Sequence, residues 1–295
     1  MLDYRASHQR RTPAAFRNGA PPMPSPRRLR AAIGAAASVV AVIALAACSS
    51  GGAGSAAQSG SADDEYGLLK PGTLTVATEG TYRPFTYHEE GSGELVGYDV
   101  EVAEAVADEL GLKVEFQETQ WDAIFAGLEA GRFDVIANQV SINPEREEKY
   151  LLSTPYTVSP SVVVVKDGDT SITSFADLEG KTTAQSLTSN FYTLAQEAGA
   201  NVQSVEGWAQ AVALLEQGRV DATVNDELTY LDYVKEHPDA KLAVAAETDP
   251  TQSAFAFTKQ KTALVKAVDE ALAKLQADGT LAKIGEKYFG QDVSQ

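Results

Sequence analysis

The sequence has few of the residues from which covalent, metal or catalytic centres are built. Of its 295 residues only Cys48 is a cysteine, so the chain can form no internal disulfide and no cluster of thiolates around a metal. The histidines are His8, His88 and His237, and none stands in a serine–histidine or metal-ligand pattern. We therefore expect a fold held by packing, with no metal, no cofactor and no catalytic residue.

Basic residues are also scarce. The chain has 24 lysines and arginines against 41 aspartates and glutamates, which gives a net charge of −17. Without its first 47 residues the balance is 17 against 40, a net charge of −23. Because a surface of that sign repels a phosphate backbone, we expect no nucleic-acid partner.

Residues 1–47 have the pattern of a secretory signal peptide. Arg27, Arg28 and Arg30 precede an apolar run over 31–47 that ends in Leu-Ala-Ala-Cys. An uncleaved anchor is the alternative, but 17 alanine-rich residues are marginal for crossing a hydrocarbon core about 30 Å thick. The ending resembles a lipobox, which makes Cys48 the predicted lipidated residue of the mature chain. The start codon is Met1 or Met23.

A flexible linker is predicted to follow the lipidated cysteine. Residues 48–65 are rich in glycine, serine and alanine and lack apolar periodicity. A flexible coil of about 16 residues has an end-to-end distance of roughly 20 to 25 Å. The linker would therefore hold the folded part near a membrane, to which the lipid anchors it.

An internal repeat is the most informative feature of the remaining chain. Trp121 to Asn138 recurs as Trp208 to Asn225, with the pattern W-x6-L-E-x-G-R-[F/V]-D-x3-N in both copies. Each copy predicts an amphipathic helix that ends at a glycine, followed by a short apolar strand over 133–137 or 220–224. Two such copies indicate two lobes.

The surrounding order of strands and helices predicts an α/β fold. Strand and helix patterns alternate, which favours mainly parallel sheets flanked by helices. We expect 66–158 to form the first part of lobe 1, 159–254 to form lobe 2, and 255–295 to complete lobe 1. Two crossover strands, near 156–161 and 250–256, would join the lobes and permit hinge closure.

Ordered blocks of the sequence resemble one known family, the extracellular solute-binding proteins of family 3, which deliver amino acids to ABC importers. The blocks span nearly all of residues 70–290. They are T-E-G-T-Y-R-P-F (78–85), G-Y-D-V-E-V-A (97–103), the first repeat copy to Val135 (121–135), N-Q-V-S-I-N-P-E-R (138–146), S-T-P-Y (153–156), A-Q-S-L-T-S-N (184–190), G-R-V-D-A-T-V-N-D (218–226) and A-D-G-T-L-A-K-I-G-E-K-Y-F-G (277–290).

The resemblance implies a type II periplasmic-binding-protein-like fold that encloses its ligand between two lobes. It also implies an amino-acid ligand, an ABC transporter permease as partner, and a location outside the cytoplasm at the cell membrane. We expect a monomer. The blocks at 138–146 and 184–190 are more similar to the cystine-binding branch than to the histidine- or arginine-binding ones.

Four polar residues match positions that the family uses to bind a zwitterion. Burying an unpaired carboxylate or ammonium costs several kcal/mol, so each needs a partner. By the resemblance, Arg146 binds the ligand carboxylate through its planar guanidinium, and Ser141 adds a donor. Thr188 supplies a donor from the other lobe, and Asp226 binds the ammonium.

Five further residues complete the predicted site. Tyr82 and Trp121 match aromatic or apolar positions that cover the ligand. Glu79, in the turn after the first strand, could meet a second ammonium. Asn138 and Gln139 follow the strand of the first repeat copy, where ligands bind in open α/β sheets. Many family members carry small serines there, so side-chain specificity does not transfer.

Plainer alternatives stand beside these assignments. Arg146 lies in the mixed charge run 145–149, which is typical of a solvated helix face. Asp226 could cap the following helix, Ser141 and Thr188 could be turn residues, and Trp121 could pack in the core. As whole functions, a dehydratase-like enzyme on the same scaffold, with Glu79 as acid or base, and a ligand-sensing module remain alternatives.

Overall fold

The computed structural model describes residues 66–295. The predicted signal peptide, the lipidated Cys48 and the linker 48–65 lie outside the described residues. Within the described range, no helix combines the length and hydropathy that a bilayer crossing requires.

The described chain alternates strands and helices. In chain order the strands are β1 (Thr73–Thr78), β2 (Thr81–Tyr82), β3 (Thr86–His88), β4 (Leu95–Val96), β5 (Lys113–Glu118), β6 (Val135–Ser141), β7 (Leu151–Leu152), β8 (Thr157–Ser159), β9 (Ser161–Lys166), β10 (Thr182–Gln185), β11 (Asn201–Ser204), β12 (Ala222–Asp226), β13 (Leu242–Glu247) and β14 (Thr251–Phe257). The helices are α1 (Tyr98–Glu109), α2 (Trp121–Glu129), α3 (Pro144–Lys149), α4 (Asn190–Glu197), α5 (Trp208–Glu216), α6 (Glu227–Glu236), α7 (Thr262–Ala277) and α8 (Thr280–Phe289), with a 3-10 turn at Phe175–Leu178.

Lobe 1 is built on a sheet with the order β5-β1-β6-β14-β7, and β8 lies beside β14. Strands β5, β1 and β6 are parallel, whereas β14 is antiparallel to β6, β7 and β8. One face of the sheet packs on α1, α7 and α8, and the other on α2, because alternate strand residues point to opposite faces. Strands β3 and β4 of the small sheet β2-β3-β4 contact α1, and β2 contacts α5 of lobe 2.

Lobe 2 is built on a sheet with the order β11-β10-β12-β9-β13. Strands β11, β10 and β12 are parallel, and β9 is antiparallel to both its neighbours. The valine run of β9 is buried on both faces: Val162 and Val164 join one apolar cluster, and Val163 and Val165 join the other. A continuous β-branched run is typical of such a doubly covered strand.

Two crossover strands join the lobes. Strands β8 and β14 run antiparallel beside each other, with Thr157 opposite Ser253 and Ser159 opposite Thr251. Beyond Ser159 the chain enters β9 of lobe 2, and β14 returns it to lobe 1. The predicted two-lobed α/β fold is confirmed. The predicted lobe boundaries at 158/159 and 254/255 fall inside these two strands.

The strands of the repeat begin later and, in lobe 1, run longer than predicted. In lobe 1 the strand is β6, Val135–Ser141, instead of 133–137, so Asn138, Gln139 and Ser141 lie within it. Its second half pairs with β14, with Val140 opposite Ala254. Strand β14 is more than 100 residues away from β6 in the chain, so the sequence of the repeat does not indicate that the two strands pair.

Candidate ligand-binding cleft

A cleft between the lobes is lined by seven of the nine predicted site residues, whereas Ser141 and Asp226 are buried beside it and do not line it. Its inner part is a space of about 550 Å³, and a neighbouring space of about 640 Å³ shares Ser189 and Asn190 with it. Arg146 and Thr188 line the second space. The first is lined by Glu79, Tyr82, Trp121, Asn138 and Gln139 of lobe 1 and by Gln185, Trp208 and Asn225 of lobe 2.

Arg146 is a buried cation in the first turn of α3. Asn143 caps this helix by accepting a hydrogen bond from the Arg146 backbone N–H at 2.9 Å. Only 7% of Arg146 is exposed. Its Nη1 donates a hydrogen bond to the Ser141 carbonyl oxygen at 2.8 Å. Its guanidinium carbon lies 5.3 Å from the ring centre of Trp121.

The Arg146 guanidinium has no carboxylate within ion-pair distance among residues 66–295. Burial lowers its pKa to about 10. A buried charge without a counterion is costly, so this position favours an incoming anionic group. The alternative that Arg146 lies on a solvated helix face does not hold, because its side chain is buried against Trp121 and Phe125 of α2.

Ser141 and Thr188 are both placed beside Arg146. Ser141 contributes its backbone carbonyl to the guanidinium. The Thr188 backbone N–H and hydroxyl both donate to Oδ1 of Asp122, at 2.9 Å and 2.8 Å. Asp122 belongs to α2 of lobe 1, so the two Thr188 donors bridge the lobes in this arrangement.

Asp226 is a buried carboxylate at the end of β12. Its Oδ1 accepts hydrogen bonds from the Ser159 hydroxyl and the Leu228 backbone N–H, both at 2.8 Å. The second bond caps α6, so the alternative of a helix cap is present in the structure. Burial raises the pKa of this carboxyl to about 6. A neighbouring cation would lower that pKa again.

Glu79 and Asn138 form a reciprocal pair at the ends of β1 and β6. The Asn138 Nδ2 donates to Glu79 Oε2, and the Glu79 backbone N–H donates to Asn138 Oδ1, both at 2.8 Å. Burial raises the pKa of Glu79 to about 7. The Asn138 amide is thus used to position the Glu79 carboxyl, which faces the cleft.

Gln139 is held by a carboxylate that the sequence did not assign to the site. Its backbone N–H and Nε2 donate to the two oxygens of Asp99, at 2.8 Å and 2.6 Å. Burial raises the pKa of Asp99 to about 7. These bonds support the left-handed backbone of Gln139, whose φ is 48°. The Gln139 Oε1 has no partner among the described residues and is buried.

Tyr82 crosses the cleft. Its hydroxyl donates to Asn225 Oδ1 of lobe 2 at 2.8 Å, and its ring packs 5.1 Å from that of Phe85. The aromatic ring is therefore fixed by lobe 1 and tied to lobe 2 through its hydroxyl. Asn225 is the last residue of the second repeat copy and was not among the predicted site residues.

Trp121 lies in the core and lines the cleft at the same time. Its Nε1 is buried without a hydrogen-bond partner among residues 66–295, as is Nε2 of Gln185 across the cleft. Gln185 was not among the predicted site residues, although it ends a strand of lobe 2. A polar residue at a strand end is the same feature that indicated Asn138 as a site residue. Trp208, which occupies the position of Trp121 in the second repeat copy, is buried in the core of lobe 2 and also lines the cleft.

No set of three or more histidine, cysteine or carboxylate side chains converges on a possible metal position in the described part of the chain. The polar groups of the cleft are instead the guanidinium of Arg146, the carboxyl of Glu79 and amide and hydroxyl groups from both lobes, with the carboxyl of Asp226 buried at the end of β12. This arrangement can bind a small molecule that carries both charges.

Comparisons with known proteins give a consistent family. The sequence profile of the bacterial extracellular solute-binding proteins, family 3, matches residues 74–291. The L-cystine-binding protein TcyA of Bacillus subtilis (strain 168) is 52% identical over 229 residues, which cover 77% of this chain and 85% of that protein.

Two solved structures share the fold. An ancestral arginine-binding protein bound to arginine is 38% identical with a TM-score of 0.70, over 74% of this chain and 99% of that one. The L-cystine solute receptor of Neisseria gonorrhoeae, unliganded and open, is 47% identical with a TM-score of 0.54, over 79% of this chain and 97% of that one. The lobe arrangement described here is therefore more similar to the arginine-bound structure.

Proposed function

Because this chain belongs to the bacterial extracellular solute-binding proteins of family 3, we propose that it captures an amino acid between its lobes and delivers it to the permease of an ABC importer. The unpaired guanidinium of Arg146 is the observation that carries this proposal. It is buried, it is fixed by Ser141, and it needs an anion. An α-carboxylate supplies two oxygens for its planar fork.

The α-ammonium is assigned to Asp226 of lobe 2. The carboxylate of a zwitterion would then bind to Arg146 of lobe 1, and its ammonium would bind to Asp226 of lobe 2. Because the two charged groups sit on different lobes, binding both requires closure. Tyr82 and Trp121 would cover the apolar part of the ligand from lobe 1.

L-Cystine is the proposed ligand. It carries two amino-acid ends, and the cleft has two adjoining spaces, with Glu79 in one and Arg146 in the other. Glu79 is a carboxylate for the second ammonium. TcyA of Bacillus subtilis (strain 168), which is named for binding L-cystine, supports this choice at 52% identity.

We propose binding without turnover. Glu79, with a pKa raised by burial to about 7, is the residue that could act as a general acid or base. The Asn138 amide donates a hydrogen bond to one of its oxygens, which holds the carboxyl in place. Incubation of the purified protein with arogenate should leave the compound unchanged, and formation of an aromatic product would revive the enzyme alternative.

We also propose that the mature chain is a lipid-anchored monomer outside the cytoplasm. The argument rests on the Leu-Ala-Ala-Cys ending and the linker 48–65. Cys48→Ser should move the protein from the membrane fraction to the soluble fraction. Equal distribution of both forms would contradict the anchor.

Calorimetric titration with L-cystine, L-arginine and L-glutamine tests the ligand assignment. We expect micromolar affinity for L-cystine, about −8 kcal/mol, and weaker binding of L-glutamine, which lacks a second ammonium. Binding of L-glutamine with equal affinity would contradict the role of Glu79. Absence of heat with L-cystine, together with binding of another amino acid, would overturn the ligand while keeping the class.

A further inference from the structure

Arg83 makes the ion pairs that join the two lobes. Its Nε lies 2.9 Å from Oδ2 of Asp232, and its Nη2 lies 3.0 Å from Oε2 of Glu236, both on α6 of lobe 2. The other ion pairs among residues 66–295 lie within lobe 1. Closure of the lobes therefore forms one set of ion pairs, between Arg83 and the two carboxylates of α6.

The contact lies outside the spaces that would hold the ligand. Neither Arg83 nor its two carboxylate partners line either space. On its own lobe, Arg83 stacks over the ring of Tyr87, with 4.5 Å from the guanidinium carbon to the ring centre. This stacking holds the guanidinium in place before the lobes meet.

Partial burial makes this contact stronger than an ordinary surface pair. The Asp232 side chain is only 8% exposed, although the Arg83 side chain is 39% exposed. The guanidinium of Arg83 contacts two carboxylates and one aromatic ring at the same time. It therefore loses less side-chain entropy for each contact than a lysine loses in a single ion pair. Opening the lobes separates all these groups and returns the charges to water.

We propose that Arg83 is a closure residue, which stabilises the closed lobes through Asp232 and Glu236 and so sets the affinity for every ligand without contacting any of them. This inference rests on the proposed capture of a ligand by closure. A group that favours the closed state raises the apparent affinity by the factor by which it raises the closed population. Loss of the contact should mainly accelerate dissociation, because the ligand first meets the open protein.

The two tryptophans of the sequence give a direct readout in the full chain. Trp121 and Trp208 are the only tryptophans, one in each lobe, and both line the cleft. In Arg83→Gln, the dissociation constant for L-cystine should rise roughly fivefold, with a faster dissociation rate and an unchanged association rate. Asp232→Asn should have a similar effect, and combining the two should add little.

Lys274→Gln is the matched control, because it breaks an ion pair with Glu109 inside lobe 1. It should leave the affinity unchanged. Without ligand, the tryptophan emission of Arg83→Gln should shift to the red, since an open cleft exposes both rings to water. This measurement is independent of the identity of the ligand, so failure of L-cystine to bind would not affect it.

Three results would overturn the proposal. The first is an unchanged dissociation constant and an unchanged tryptophan emission in Arg83→Gln. The second is an equal loss of affinity for L-cystine in Lys274→Gln. The third is full additivity of the effects of Arg83→Gln and Asp232→Asn on the dissociation constant. Thermal unfolding of each variant establishes that the compared proteins are folded.

Discussion

The two lobes contain the same motif, and comparing the copies separates what the motif builds from what each lobe adds. The aspartate of the R-[F/V]-D segment is the shared element. Asp134 accepts the backbone N–H of Thr75 at 3.1 Å, and Asp221 accepts that of Thr182 at 2.8 Å. In both lobes the aspartate thus ties the start of one parallel strand to its neighbour.

Lobe 1 adds buried contacts to this aspartate. The Asp134 carboxylate also pairs with Lys261 at 2.6 Å and accepts the Leu69 backbone N–H at 3.0 Å. It is fully buried, whereas Asp221 is exposed. The same motif residue therefore makes several buried polar contacts in lobe 1 and a single side-chain hydrogen bond at the surface in lobe 2.

The asparagine at the end of the motif differs in another way. Asn138 bonds within lobe 1 and positions Glu79, whereas Asn225 accepts the Tyr82 hydroxyl across the cleft. The lobes also differ in the charged groups near the cleft, because Arg146 and Glu79 belong to lobe 1 and Asp226 belongs to lobe 2. The repeat provides the framework and one asparagine in each lobe, and the charged groups come from residues outside the repeated pattern.

Replacing the motif aspartates should produce the largest difference between the lobes. Asp134→Asn removes the partner of Lys261 in a buried place and should lower the free energy of unfolding by about 3 to 5 kcal/mol. Asp221→Asn, at an exposed site, should lower it by about 1 kcal/mol or less. Chemical denaturation measures both, and equal losses would refute the contrast.

Removing the cation of lobe 1 should have the next largest effect, on binding. Arg146→Ala should weaken L-cystine binding more than about 100-fold, close to 3 kcal/mol, because the ligand carboxylate would be buried unpaired. Lys266→Ala, which removes an exposed cation of lobe 1 that lines neither space, is the control and should bind normally. Retained affinity in a folded Arg146→Ala protein would remove Arg146 from the site.

Replacing the motif asparagines should separate stability from binding. Asn138→Ala leaves the Glu79 backbone N–H without its acceptor and should cost about 2 kcal/mol of folding stability. Asn225→Ala, which loses a bond between lobes, should change stability less and weaken ligand binding a few-fold. The reverse pattern, measured by denaturation and titration, would show that the roles are exchanged.

The pH dependence should give the smallest effect. Burial raises the pKa of Asp226 to about 6 and that of Glu79 to about 7 in the unliganded protein. An ammonium binds the ionised carboxylates, so the affinity should fall as pH falls, by about tenfold from pH 7 to pH 6. Glu79→Gln should remove the part of this change between pH 6 and pH 8, and an unchanged profile would contradict its contact.

Folding stability should respond to pH in the opposite direction. Both carboxyls hold their protons to higher pH in the folded state than in the unfolded chain, whose ordinary values are near 4 to 4.5. The unliganded protein should therefore lose stability as pH rises from about 4 to about 7, and change little above that. Denaturant titrations at several pH values measure this slope.

Local patterns in the sequence were sufficient to predict the lobes, their helices and the place of the cleft. The helix of the repeat, its terminal glycine and the valine run 162–165 each depend on near neighbours in the chain. The contacts that were missed are distant in sequence: β14 beside β6, Asp99 beneath Gln139, and Asp122 against Thr188. These contacts depend on how the elements pack within a lobe and on how the two lobes meet. A periodic pattern in the sequence gives no information about either.

A crystal structure of the protein with bound L-cystine would show whether both lobes hold the two charged groups of one amino-acid end. We expect one carboxylate of the ligand on the guanidinium of Arg146, the adjacent ammonium on Asp226, and the second ammonium facing Glu79. A guanidinium turned toward bulk solvent, or a ligand held by one lobe alone, would contradict it.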